Sequence, residues 1–166
     1  MSSHSLPSDS QLQQLATRLG EQLRRNHDRV VTAESCSGGW VAKVLTDVAG
    51  CSDWFDCGLT VYSYEAKQAL LGVLPQTLEQ YGAVSRETVV EMVAGALAHS
   101  GASVAVAVTG IAGPSGGSAD KPVGTVWIGW KRRGGYRRAE CFHFHGDRQA
   151  IRRQSVAAAL QGLERI

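Results

Sequence analysis

Residues 30–45 read VVTAESCSGGWVAKVL. Val30-Val31-Thr32-Ala33 is a short β-branched run, and residues 40–45 are helix-like. Between them lies a turn of small residues, Glu34-Ser35-Cys36-Ser37-Gly38-Gly39. A strand that passes into a helix in this way is the building unit of an open α/β sheet, whose ligands bind at the carboxyl ends of strands. The helix start offers unpaired N–H groups and a positive dipole end, suited to a phosphate or a developing oxyanion. On these residues alone, Ser35 or Ser37 serves equally well as a plain N-cap, with Gly38 and Gly39 easing the packing. Cys36 would be a nucleophile only if the helix start lowered its pKa. On an extended chain it points away from Ser35, and a free Cys is commonly just buried.

Working outward, the same alternation continues. Leu12, Leu15, Leu19 and Leu23 recur at helical spacing over 9–26. A second strand is expected over 57–63, followed by helix-like pieces at 65–71 and 75–81 split by Gly72. Ser85 caps a helix over 86–99. Residues 103–109 alternate Val and Ala as a buried strand. A glycine-rich loop spans 110–124, and strands over 123–130 and 137–144 form a hairpin through Arg132-Arg133-Gly134-Gly135. Asp147 caps a last helix over 148–164. Helical crossovers favour parallel pairing, and the hairpin adds an antiparallel strand. The expectation is an α/β fold: a single three-layer α/β/α domain over 9–166, with a mixed, mainly parallel sheet of about five strands and a loose tail at 1–8.

Composition narrows the function. The chain has 166 residues, 43% hydrophobic and 19% charged, which is globular rather than disordered. Lys+Arg is 17 and Asp+Glu 15, a net charge of +2, too balanced to point to nucleic acid or an anionic membrane. No apolar run reaches the roughly 20 residues of a membrane span, and residues 1–7 do not read as a secretory signal. The cysteines are Cys36, Cys51, Cys57 and Cys141, with no C-x-x-C pair. Cys141 with His143 and His145 is better explained by strand alternation than by a metal. The expectation is a reduced, cytoplasmic protein with no metal and no cofactor.

Three further segments carry candidate chemistry. In Thr60-Val61-Tyr62-Ser63-Tyr64-Glu65-Ala66-Lys67, Tyr62 and Tyr64 share a face if the strand continues that far, and Lys67 begins a helix. Lys67 could be the base for a serine only if neutral near pH 7, a shift of about 3 units, or about 4 kcal/mol, that burial or a nearby cation such as a pyridinium must supply. The plain reading is a solvated lysine and two packed tyrosines. Thr109-Gly110-Ile111-Ala112-Gly113 opens the glycine-rich loop at another strand end and suits a backbone cradle or lid. The G-x-S-x-G match at 113–117 and the S-x-x-K match at 118–121 lack the strand and helix such motifs require. Arg148 opens the last helix, where it would pair with a phosphate or, more plainly, with surface acids.

The runs TAESCSGGWVAKVLTDVAG, GLTVYSYEAKQALLGV, YGAVSRETVVEM, VAVTGIAGPSGGSADKPVGTVWIGW and GDRQAIRRQ, together and in this order, resemble the C-terminal domain of the competence/damage-inducible CinA proteins, in particular its stand-alone bacterial nicotinamide-nucleotide amidohydrolases. The likeness runs from the first helix to the last. It implies deamidation of nicotinamide mononucleotide to nicotinate mononucleotide and ammonia, with Ser35 as nucleophile and Tyr62 and Lys67 beside it. The family commonly has Asn two residues after the tyrosine, where this chain has Tyr64; Tyr62 is preferred over Tyr64. The resemblance also implies a homo-oligomer, a dimer, with a nucleotide as its small-molecule partner and neither nucleic acid nor membrane. Ser37, Gly38, Gly39, Thr109, Gly110, Ile111, Ala112, Gly113 and Arg148 are the candidate substrate-binding residues, with backbone N–H groups near Gly38 and Gly39 for the oxyanion and those of 110–113 or the Gly38 helix start for the phosphate. No Ser-His-Asp order surrounds Ser35, which leaves Lys67 as the base. The competing expectation, a non-catalytic nucleotide-sensing or partner-binding module, sits poorly with the intact Ser35, Tyr62 and Lys67.

Overall fold

Alternating burial divides the strands between two helical layers. The computed structural model describes residues 6–166. Five strands, β1 (Val30–Glu34), β2 (Phe55–Thr60), β3 (Val104–Gly110), β4 (Thr125–Arg132) and β5 (Arg137–His143), form one sheet in the order β2-β1-β3-β4-β5. β1 pairs in parallel with β2 and β3; β4 is antiparallel to β3 and to β5, so four of the strands run one way. Val30, Val104, Val106, Val108, Val126, Ile128 and Trp130 face helices α1 (Asp9–Arg25), α2 (Trp40–Thr46) and α6 (Arg148–Leu163). Val31, Ala33, Ala105 and Ala107 face the other layer, α3 (Tyr64–Leu71), α4 (Pro75–Tyr81) and α5 (Arg86–Ala98). This is the expected three-layer mixed α/β architecture.

The helix boundaries follow from their caps. Ser8 and Gln11 form a capping box at the start of α1, Ser85 Oγ accepts from Thr88 N at 3.1 Å, and Asp147 Oδ1 accepts from Ala150 N at 2.8 Å. The expectation of a loose tail at 1–8 lies mainly outside the described residues. Within them, Ser8 caps α1, and the Pro7 carbonyl accepts from Arg153 at 3.2 Å.

One boundary differs in a way that matters. β2 ends at Thr60 rather than at 63, because Ser63 Oγ accepts from Ala66 N at 3.0 Å and starts α3 at Tyr64. Tyr62 therefore lies in the connecting turn and Tyr64 on a helix, and the two do not share a strand face. The sequence reading also passes over the short 3-10 turn Cys51–Asp53.

Parallel pairing brings the carboxyl ends of β1, β2 and β3 to one edge of the sheet. The hairpin returns to the same edge, with Thr125 opposite His143, and α6 begins beside it. Ser35, the 61–63 turn, the 111–124 loop and Arg148 thus collect at a single rim although they are far apart in sequence.

Candidate active site

The period-2 alternation of β1 sends Glu34 and Ser35 to opposite faces. Ser35 turns toward the α3 side, where Lys67 stands on the first turn of α3. Lys67 is fully buried. Its Nζ lies 3.0 Å from Ser35 Oγ, 3.0 Å from the Val61 carbonyl and 2.9 Å from the Tyr62 carbonyl. Desolvation by burial lowers the Lys67 pKa, and only a Cys36 thiolate would oppose it. A neutral amine has two N–H bonds and one lone pair. Nζ donates to both carbonyls and to Ser35 Oγ; in the neutral form the two carbonyls would take its N–H bonds and leave the lone pair for the Ser35 hydroxyl. The contact joins a serine hydroxyl at a strand end to a buried lysine amine.

Glu34 turns to the other face and is buried. Its Oε2 accepts from Ser37 Oγ at 2.7 Å, Gly39 N at 3.1 Å and Val41 N at 3.0 Å, and its Oε1 from Ala42 N at 2.8 Å. A carboxylate from the chain itself therefore fills the start of α2, where the helix dipole favours negative charge. Gly38 N donates to the Ser35 carbonyl at 3.0 Å. The expectation that N–H groups at Gly38 and Gly39 hold the oxyanion or the phosphate is thereby corrected: these donors are already engaged. Among the described residues, the N–H groups of Cys36 and Ser37 find no acceptor in another residue, and they lie directly after Ser35. Both glycines have left-handed φ, +64° at Gly38 and +91° at Gly39, which explains the pair better than ligand approach does.

Cys36 is buried. Burial pushes its thiol up to about 12, far from the thiolate that reactivity requires.

Tyr62 enters through two different atoms. Its carbonyl holds Lys67, whereas its exposed hydroxyl accepts from Arg148 Nη2 at 3.0 Å. Arg148 also donates to the Gly113 carbonyl at 2.7 Å, so it clasps the 111–124 loop to the 61–63 turn. Tyr64 is drawn away, its hydroxyl accepting from Ala83 N at 3.3 Å. Thr109 is buried and donates to the Ala83 carbonyl at 2.8 Å. Ile111 N donates to the Thr125 carbonyl at 2.9 Å and so drops out as a phosphate donor. Gly110 marks a close approach, since a Cβ there would stand 2.7 Å from Val126 Cγ2. The N–H groups of Ala112 and Gly113 find no acceptor among the described residues. Glu34 and Arg152 also belong to the site by geometry. The sequence signal for Glu34 was its place beside Ser35, and for Arg152 its place one helical turn beyond Arg148.

The family model for the CinA C-terminal domain matches residues 12–166. The chain belongs to the CinA C-terminal domain family. Within it, the nicotinamide-nucleotide amidohydrolase PncC of Escherichia coli K12 is 54% identical over 157 residues, covering 93% of this chain and 94% of that protein. The PncC of Pseudomonas putida is 55% identical over 149 residues, covering 90% and 92%. A CinA-like protein of Akkermansia muciniphila is 50% identical over 135 residues, 81% of this chain but 33% of that longer protein. The crystal structure of a competence/damage-inducible protein from Agrobacterium tumefaciens superposes with a TM-score of 0.92 at 43% identity, covering 97% of both chains. No helix among the described residues of this CinA-family chain is long and apolar enough to cross a membrane.

Proposed function

We propose that this chain is a cytoplasmic nicotinamide-nucleotide amidohydrolase that converts nicotinamide mononucleotide to nicotinate mononucleotide and ammonia through a serine nucleophile. The observation that carries the reading is the buried contact of 3.0 Å between Lys67 Nζ and Ser35 Oγ. The similarity to curated PncC proteins supports the substrate class.

In this reading Ser35 Oγ attacks the carboxamide carbon while neutral Lys67 takes the hydroxyl proton. The tetrahedral oxyanion rests on the N–H groups of Cys36 and Ser37. The C–N bond then breaks, and Lys67 returns its proton to the departing NH2, which leaves as ammonia. Water attacks the resulting nicotinoyl ester, Lys67 accepts its proton, and collapse expels Ser35, reprotonated by Lys67. Arg148 and the N–H groups of Ala112 and Gly113 form the group that faces the phosphate. Tyr62 positions the lysine through its carbonyl and Arg148 through its hydroxyl. A homodimer belongs to the same proposal, and light scattering checks it.

Ammonia release from the nucleotide tests the reading. Ser35→Ala should lose on the order of 10³-fold in kcat or more with the fold intact. Lys67→Arg should fail nearly as badly as Lys67→Ala, because a guanidinium does not release its proton near neutrality. A folded Ser35→Ala variant with near-normal turnover would sink the serine mechanism. The unphosphorylated riboside should be a much poorer substrate; equal kcat/KM for riboside and nucleotide would remove the phosphate site.

A further inference from the structure

The two N–H groups that follow Ser35 are held by different means. In a trans peptide the carbonyl and the next residue's N–H lie in one plane and point in opposite directions. Fixing a carbonyl therefore aims the N–H that shares its plane. The N–H of Cys36 shares a plane with the Ser35 carbonyl, which accepts from Gly38 N at 3.0 Å inside the turn itself. The N–H of Ser37 shares a plane with the Cys36 carbonyl. Among the described residues, the partner of that carbonyl is Arg152 Nε at 3.1 Å, from a side chain 116 positions away on α6. The same guanidinium reaches the Ser37 carbonyl through Nη2 at 3.1 Å.

Further contacts fix the arginine. Its guanidinium lies over the Trp40 ring, 5.4 Å from the centroid, with Arg153 5.0 Å from the same ring. A Cβ at Gly38 would stand 3.1 Å from Arg152 Nη2, so the bare glycine leaves room for the fork. Two successive left-handed glycines leave this turn without the self-support of a regular helix. A permanently charged, planar fork on two consecutive carbonyls supplies it. The charge also draws electron density through the Cys36–Ser37 peptide and makes the Ser37 N–H a stronger donor.

We infer that Arg152 is a positioning residue for the oxyanion: it aims and polarises the Ser37 N–H at the charge that develops when Ser35 attacks. The inference rests on the amidohydrolase reading of the site. Misplacing one oxyanion donor removes an interaction made mainly in the transition state, so its cost falls on kcat rather than on KM.

The experiment compares wild type, Arg152→Gln and Arg152→Lys in ammonia release from nicotinamide mononucleotide. In parallel, the rate at which a fluorophosphonate probe labels Ser35 is followed by intact mass. Folding is checked by circular dichroism and melting. For Arg152→Gln the expected result is a fall in kcat of about 30- to 100-fold with KM within about threefold, an unchanged pH midpoint, and a matching fall in labelling rate. Arg152→Lys, which keeps charge but not the fork, should recover a small part of both. Unchanged kcat and labelling in either folded variant overturns the inference, as does a loss confined to KM or to melting temperature. If the wild type is labelled but releases no ammonia, the amidohydrolase reading fails, and the labelling rates alone decide for or against Arg152. If the wild type does neither, both ideas fall.

Discussion

At the scale of single residues, the pair Ser35–Lys67 makes a pH signature that no histidine or carboxylate mechanism would share. The Lys67 pKa is lowered from its ordinary value of 10.5 by burial. Between that lowered value and 10.5, the folded state holds fewer protons on this group than the unfolded state. Stability therefore rises with pH through this window, levels off above 10.5 and is flat below the lowered pKa. Activity should rise with pH through the same lowered value, because the base must be neutral. We expect the urea midpoint of the wild type to climb across the window and that of Lys67→Met to stay flatter, with pH-dependent denaturation as the measurement. Equal slopes for the two proteins would place the lysine's titration outside the folded site. Local signals, small residues at a strand end and a lysine near a helix start, made Ser35 and Lys67 candidates, but only the family resemblance raised them above an N-cap and a solvated lysine. The two carbonyls that hold Lys67 were not legible, since a backbone oxygen has no residue type to betray it.

Helix α2 is the element whose start decides the geometry of the turn. It has seven residues, and Gly39 precedes it with no side-chain cap of its own. Glu34 takes over that function from the strand, accepting three backbone N–H groups and the Ser37 hydroxyl. Glu34→Ala leaves those donors unpaired in a buried place and should cost about 3 kcal/mol. Hydrogen exchange should show Val41 and Ala42 losing protection first. If their protection matched the wild type while global stability fell, the cap assignment would be wrong. Strand alternation turns Glu34 away from Ser35 but does not say what it reaches. A carboxylate folding back onto its own following helix is a three-dimensional closure. Its residues, at 34, 37, 39, 41 and 42, obey no single periodicity. The end of β2 was missed for a related reason. Val61 still pairs, donating to the Glu34 carbonyl at 2.8 Å, so the β pattern runs past the point where Ser63 takes over as a cap.

For the whole molecule, catalysis depends on how closely its layers approach. α3 carries Lys67 and packs on α5 at Gly95, where a Cβ would stand 1.8 Å from the Leu71 carbonyl oxygen. Backbone cannot yield as a flexible side chain does. Gly95→Ala should push α3 outward, costing about 2 kcal/mol or more, and should lower kcat although residue 95 lies outside the site. Melting and ammonia release together check this; a destabilised variant with full turnover would show that α3 moves without carrying Lys67 off Ser35. On the opposite face, Trp130 is buried over Gly162 and donates to the Ala159 carbonyl at 2.9 Å, fixing α6 and with it Arg148 and Arg152. The layer order was legible from the alternation of strands and helices. These close approaches were not, because a glycine in a helix reads the same whether it faces water or a neighbouring backbone.

The complete burial of Lys67 has a consequence for chemical mapping. The chain has four lysines, Lys43, Lys67, Lys121 and Lys131. Amines of lowered basicity are ordinarily the first to react with acylating reagents such as activated esters. Here the lysine of lowered basicity is walled off, while Lys43, with two thirds of its side chain exposed, is open to reagent. A lysine footprint of the native protein should thus mark Lys43 and pass over Lys67, and Lys67 should be labelled only when α3 lifts from the sheet edge and resolvates it as an ordinary lysine, which makes its acylation a reporter of local opening rather than of intrinsic reactivity.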